Sequence, residues 1–145
     1  MATVKVILET KGTNVVTIHP EATIYEAAEL MNEWKIGSLV VIGDGHVIGM
    51  FTERDVLHRI VAQKRDAATT TVAEVMTTEI ICCQMRTTLA EARVVMKNRR
   101  IRHIPVVNED GQLLGLISIG DLNAHEAHSQ EQTIYFLQQY IYGQA

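Results

Sequence analysis

The apolar positions of this chain change period repeatedly, and each change marks an element. Thr3-Val4-Lys5-Val6-Ile7-Leu8 reads as a short helical turn leading to Lys11-Gly12-Thr13-Asn14. Val15-Val16-Thr17-Ile18 is β-branched and predicts a strand, closed by His19-Pro20. Thr23-Ile24-Tyr25-Glu26 has the form of a capping box, in which hydroxyl and acid satisfy each other's backbone N–H groups. Ile24, Ala27, Met31 and Trp34 then fall on one helical face, and Gly37 ends that helix. Ser38-Leu39-Val40-Val41-Ile42 predicts a buried strand, Gly43-Asp44-Gly45 a hairpin turn, and Val47 to Phe51 the returning strand. A helix opens at Thr52-Glu53-Arg54-Asp55 and runs to about Gln63, followed by a polar linker from Lys64 to Thr70.

The pattern then repeats. Thr71 to Met76 is a second lead-in turn, and Ile80-Ile81-Cys82-Cys83 a second strand. The capping box at Thr88-Leu89-Ala90-Glu91 lies 65 positions after the one at Thr23, and Ala92 and Met96 match Ala27 and Met31. Ile101 to Val107 matches Ile36 to Ile42 at the same offset. Asn108-Glu109-Asp110-Gly111 carries one extra residue, so Gly115, Ser118 and Asp121 follow Gly49, Thr52 and Asp55 at 66. A period this long means a duplicated domain rather than a solenoid. The divisions expected are residues 1–66 for repeat one, 67–128 for repeat two and 129–145 for an amphipathic C-terminal helix. In that helix Ile134, Leu137 and Ile141 form an apolar stripe, and Tyr135, Phe136, Tyr140 and Tyr142 crowd the same segment. Aromatic side chains are enriched at contact surfaces, so this helix is expected to pack on a neighbouring subunit.

Composition narrows the function classes. A chain of 145 residues with 47% hydrophobic content and two prolines is a folded unit. A net charge of −4 argues against a nucleic-acid or anionic-membrane partner, and no apolar run is long enough to span a membrane. Cys82 and Cys83 are adjacent and read as two small buried hydrophobes rather than a disulfide framework or half of a zinc site. Cytoplasmic localisation is the expectation.

Each repeat closes on the same short form, with Thr52 three positions before Asp55 and Ser118 three before Asp121. The plain explanation is another capping box. The sharper one is a nucleotide site, because a helix N-terminus offers unpaired N–H groups and partial positive charge to a phosphate. A carboxylate one turn in can accept both hydroxyls of a ribose. The two clefts so implied differ in charge. Arg102 and His103 enter an apolar strand beside Pro105, where a guanidinium can fork onto phosphate oxygens and an imidazole can add charge near neutrality. Repeat one has Gly37 and Ser38 at those places, leaving Arg54 as its cation. The second cleft is therefore expected to be the better mononucleotide site.

The duplicated unit with its Gly-x-x-Ser/Thr-x-x-Asp ending resembles a tandem pair of cystathionine-β-synthase (CBS) domains, a Bateman module. Glu53-Arg54-Asp55, Arg102-His103-Ile104-Pro105-Val106, Ser118-Ile119-Gly120-Asp121 and Tyr140-Ile141-Tyr142-Gly143 make it similar, more narrowly, to small stand-alone CBS pairs. The resemblance implies an α/β (α+β) fold of two pseudo-two-fold related β-α-β-β-α repeats, each a small sheet packed by helices. It implies two clefts for adenosine ligands, AMP foremost, with ADP, ATP, NAD and S-adenosylmethionine as alternatives. It also implies a homodimer and no required cofactor. By matching position, Asp121 would hold the ribose of the second cleft and Ser118 its phosphate end. Backbone around Ile80, after Thr77, would meet the adenine edge, with Ile104 and Pro105 flanking the base. In the first cleft these roles fall to Asp55, Thr52, the Asn14–Val15 backbone and Leu39. Val40 stands where repeat two has Pro105, which makes that cleft wall less rigid.

Other motifs carry less. Gly43-x-Gly45-x-x-x-Gly49 misses the dinucleotide fingerprint by one residue and joins strand to strand. His125-Glu126-Ala127-His128 lacks a third metal ligand. No nucleophile stands at recognisable spacing from a base, so nothing argues for an enzyme. Two functions remain open: a ligand sensor acting on an unidentified effector protein in trans, and an interaction scaffold with unoccupied clefts.

Overall fold

The computed structural model describes residues 1–142, apart from the side chains of 131–133, 135, 136 and 139–142. The expectations placed on Tyr135, Phe136, Tyr140, Ile141, Tyr142 and Gly143 lie outside the described residues. The elements in order are α1 (Val4–Lys11), β1 (Thr17–Ile18), α2 (Ile24–Trp34), β2 (Ser38–Gly43), β3 (His46–Thr52) and α3 (Glu53–Asp55). A π-helical segment, Val56–Val61, continues α3. Then follow α4 (Val72–Val75), α5 (Leu89–Arg99), β4 (His103–Val107), β5 (Leu113–Ser118) and α6 (Ile119–Tyr142), one continuous helix. None of the described helices is long and apolar enough to cross a membrane.

The duplication is visible in local geometry. Thr23 and Thr88 each cap a helix by accepting from an N–H three residues on, at 3.1 Å in both. Lys35 and Arg100 both end those helices in the left-handed conformation. The hairpins β2–β3 and β4–β5 share a bulge, between Val41 and Ile42 and between Val106 and Val107. Asp44 and Gly45, at φ 51° and 78°, form the two-residue turn whose twist suits a hairpin. Asn108 instead folds the longer second loop by accepting from the N–H groups of Asp110 and Gln112.

Three expectations change. The strand at Ile80–Cys83 reduces to a single parallel bridge, Cys83 to Val106. Repeat one has a second rung because Val40 carries an N–H and pairs with Thr17; Pro105 in the corresponding place has no N–H to give. Trp34 is 59% exposed, since it sits at the margin of the α2 stripe, one residue before the left-handed Lys35. Cys82 is exposed, and Cys83 is half-buried against the second core, so only Cys83 packs as expected.

Two hydrophobic cores form, and each takes its lead-in helix from the other repeat. Val72 and Val75 of α4 join Ile24, Met31, Leu39, Val41 and Phe51 in the first core. Val4, Ile7 and Leu8 of α1 join Met96, Ile104, Val106, Ile117 and Leu122 in the second. Backbone bonds seal both crossings: Val72 N donates to Ala22 O at 2.8 Å, and Val4 N to Thr87 O at 2.8 Å. The isolated bridges Thr23–Thr71 and Thr3–Thr88 are their matched partners. Gly49 and Gly115 make room for the incoming helices, since a Cβ at either would lie 2.7 Å from Met76 Sδ or Leu8 Cδ1. Contacts that come in reciprocal pairs are what a two-fold relation between the repeats requires.

Candidate functional site

The site is set where each hairpin runs into a helix. In repeat one, Glu53 N donates to Gly37 O at 3.0 Å; in repeat two, Ile119 N donates to Arg102 O at 2.9 Å. These bonds fasten the helix start to the neighbouring strand and place the acid three residues after the hydroxyl beside it. Thr52 Oγ1 accepts from Asp55 N at 3.3 Å, and Ser118 Oγ accepts from Asp121 N at 3.1 Å. Both acids answer their own backbone, Thr52 N donating to Asp55 Oδ2 at 2.9 Å and Ser118 N to Asp121 Oδ2 at 2.8 Å. The plain explanation of the motif, a capping box, is therefore present in both repeats.

Beyond capping, the acids differ. Asp55 is 7% exposed, and both of its oxygens are engaged. Its Oδ1 accepts from Thr77 Oγ1 at 3.4 Å and faces Arg59 Nε at 3.5 Å. Arg59 is tied down further, its Nη1 donating to Val75 O at 3.0 Å. Asp121 lies more open, with a side chain 22% exposed. Lys11 Nζ donates to its Oδ2 at 2.7 Å, and no described group bonds its Oδ1. An imidazole, neutral near pH 7 and so not the added charge that the sequence suggested, and a further cation lie beside this pair. His103, on β4, pairs with Ser118 across the hairpin, and Arg102 precedes it, exposed and without an ion pair among the described residues. Burial, then the charges of Lys11 and Arg102, hold the His103 imidazole below its ordinary 6.5, with Asp121 opposing. Burial pushes the Asp121 carboxyl upward most strongly of any single influence, but the bonds from Lys11 and Ser118 outweigh it and leave the group below its usual value.

The remaining sequence candidates fall as follows. Ser38, Leu39, Ile104 and Pro105 are buried on β2 and β4. Arg54 and Asn14 are exposed, and Val15 and Ile80 are half-buried. By sequence Thr77 belongs with the Asp121 cleft; in the structure its hydroxyl stands on Asp55. The reason is the crossing of the lead-in helices: α4 packs in the first core, so the residues after it meet repeat one's acid. Lys11 reaches Asp121 by the same rule, and no pattern in the sequence couples residues 110 positions apart. Arg59 was legible, since an Asp and an Arg four apart on a helix face each other. Two surface concavities, of about 520 and 500 Å³, flank α2 and are lined by neither Asp55 nor Asp121.

Cys82 and Cys83 offer no reactive thiolate. Burial raises both thiols, and with the neighbouring Cys82 it takes Cys83 to about 12. Among the described residues no group of three metal-ligating side chains comes together.

The chain matches the CBS domain family twice, over residues 9–62 and 72–127, spans that hold the two hairpin-and-helix units. The chain belongs to the CBS domain family. This CBS pair is 36% identical over 124 residues to the CBS domain-containing protein YhcV of Bacillus subtilis, covering 86% of this chain and 87% of that one. The CBS-domain containing protein ATU1752 from Agrobacterium tumefaciens superposes with a TM-score of 0.80 at 38% identity, covering 86% of this chain and 99% of that one. The CBS domain pair of protein MJ0100 was solved in complex with 5′-methylthioadenosine and S-adenosyl-L-methionine. It shares the fold at a TM-score of 0.79 and 23% identity, covering 89% of this chain and 98% of that one.

Proposed function

We propose that this CBS pair is a regulatory sensor that binds an adenosine ligand, AMP foremost, in the repeat-two cleft and acts on a partner protein in trans. The observation that carries the reading is the meeting of Asp121, Ser118, Lys11, Arg102 and His103 at the start of α6. A part-exposed carboxylate with a free oxygen suits a ribose diol, and surplus cationic groups suit a phosphate. The flanking role expected of Ile104 and Pro105 falls on side chains that are buried in the structure, so the base would meet the strand that carries them. In repeat one Asp55 is buried with both oxygens engaged, which disfavours ribose there, so one ligand per chain is expected. The adenosine compounds bound by MJ0100 agree with this class of ligand. Ligand binding would act by favouring one arrangement of the pair over another, by no more than its difference in affinity for the two.

The test is calorimetric titration with AMP, ADP, ATP, NAD and S-adenosylmethionine. AMP is expected to bind at a stoichiometry of one, and Asp121→Ala to weaken it roughly ten- to hundredfold. Lys97→Ala, on the exposed face of α5, should leave it unchanged. The two complete capping boxes favour a second reading, a scaffold whose acids only hold helix ends. Failure of every adenosine compound to bind would select it. Tyr25 and Trp34 on α2, Val94 on α5 and Ile134 and Leu137 on α6 remain exposed, apolar side chains that a homodimer would cover.

A further inference from the structure

We infer that Lys11 is a specificity-determining residue of the repeat-two cleft, releasing Asp121 to the ribose of an incoming nucleotide and taking its phosphate instead. The inference rests on the adenosine reading above and deepens it: the ligand class becomes phosphorylated adenosine compounds, as against the bare nucleoside or its cationic sulfonium derivative.

Lys11 is the last residue of α1, and its backbone is held. Val4, Ile7 and Leu8 bury that helix in the second core, and Gly12 N closes it by donating to Leu8 O at 2.8 Å. Only the side chain is free to move, four methylenes carrying a compact charge that bonds carboxylate and phosphate alike. It is 36% exposed where it meets Asp121, so the ammonium can leave that oxygen without opening the core. The charge balance around the acid favours the exchange. Among the described residues the charges that act on His103 are those of two cations, Lys11 and Arg102, and one acid, Asp121. A phosphate would supply the missing negative charge.

The first repeat has no such device. The residue 65 positions after Lys11 is Met76, whose thioether packs against Gly49. The cation at Asp55 is Arg59, and its guanidinium is committed to the carbonyls of Val75 and Met76 at 3.0 and 3.4 Å. The cleft of repeat two is therefore completed by a residue from the lead-in of repeat one.

The experiment is titration of the full chain and of Lys11→Met with AMP and with adenosine. The wild-type chain should prefer AMP, and Lys11→Met should lose AMP affinity roughly ten- to hundredfold while adenosine binds as well or better, its acid no longer occupied. Lys11→Arg should restore most of the preference, which a purely structural role for the lysine methylenes would not require. Equal weakening of both ligands, or no change in either, would overturn the role of Lys11 and leave the adenosine site standing. If the wild-type chain binds neither compound, the site itself is refuted and the inference falls with it.

Discussion

Asp121 and His103 sit within one cluster yet respond to pH in separate windows. The Asp121 carboxyl titrates below its ordinary 3.8, so its contribution to stability is present above that value and lost only in strong acid. His103 is the more useful probe. Burial, Lys11 and Arg102 depress its folded-state value below 6.5, against the pull of Asp121. Above 6.5 the ring is neutral folded or unfolded and costs nothing. As pH falls through 6.5 the unfolded chain takes up a proton that the folded chain resists, and stability declines until the depressed folded-state value is passed. Urea midpoints measured downward from neutrality should therefore fall in the wild-type chain, and His103→Gln should flatten that slope. An unchanged slope would mean that the imidazole is not confined among those cations. At Asp121 itself, motif spacing was enough to find the acid and its hydroxyl partner. It could not reveal the ammonium at 2.7 Å, because local spacing says nothing about which distant helix end arrives there.

Helices and strands here owe their limits to single residues. Thr88 caps α5 with a complete box, Thr88 N donating to Glu91 Oε1 at 3.2 Å and Glu91 N to Thr88 Oγ1 at 3.1 Å. Pro105 stops the parallel ladder that Val40 extends. Gly115 lies in β5 because Leu8 crosses it: a methyl at position 115 would come within 2.7 Å of Leu8 Cδ1 and 2.9 Å of Cδ2. Gly115→Ala should therefore destabilise the chain by about 1–3 kcal/mol, the usual cost of overpacking. Combining it with Leu8→Ala should cost less than the sum of the two, by at least about 0.5 kcal/mol, because the second change removes the atoms that clash. Denaturant unfolding of the two single variants and the double variant measures this, and strict additivity would rule the contact out. Gly49 and Gly115 were visible as a repeat, but their reason was not, since the crowding atoms come from the lead-in of the other repeat.

The whole molecule is tied together by exchange. Neither run of residues that the repeat marks out in sequence holds a complete core, because Val4, Ile7 and Leu8 serve repeat two while Val72 and Val75 serve repeat one. Leu8→Ala should cost about 2–5 kcal/mol, and the damage should appear in the distant half. Amide exchange is expected to quicken in β4, β5 and α5 more than in β2 and β3, and Val75→Ala should produce the opposite pattern. If Leu8→Ala instead loosens β2 and β3, the crossing is wrong. The same exchange couples the cleft to the fold, since the lysine at Asp121 rides on a helix from the other repeat.

The duplication, the two acid-bearing helix starts and the order of elements, apart from the strand expected at Ile80–Cys83, were determined by the sequence alone. Each depends on neighbours within a few residues: a threonine and the acid after it, a hairpin turn, an apolar period. Tertiary structure decided which lead-in helix fills which core, which acid stays open and which cation reaches it. Those outcomes turn on contacts between residues as far apart as Lys11 and Asp121. Each repeat carries nearly the same pattern, so local preference favours neither way of pairing the lead-in helices, and long-range contacts such as Leu8 on Gly115 and Met76 on Gly49 separate them.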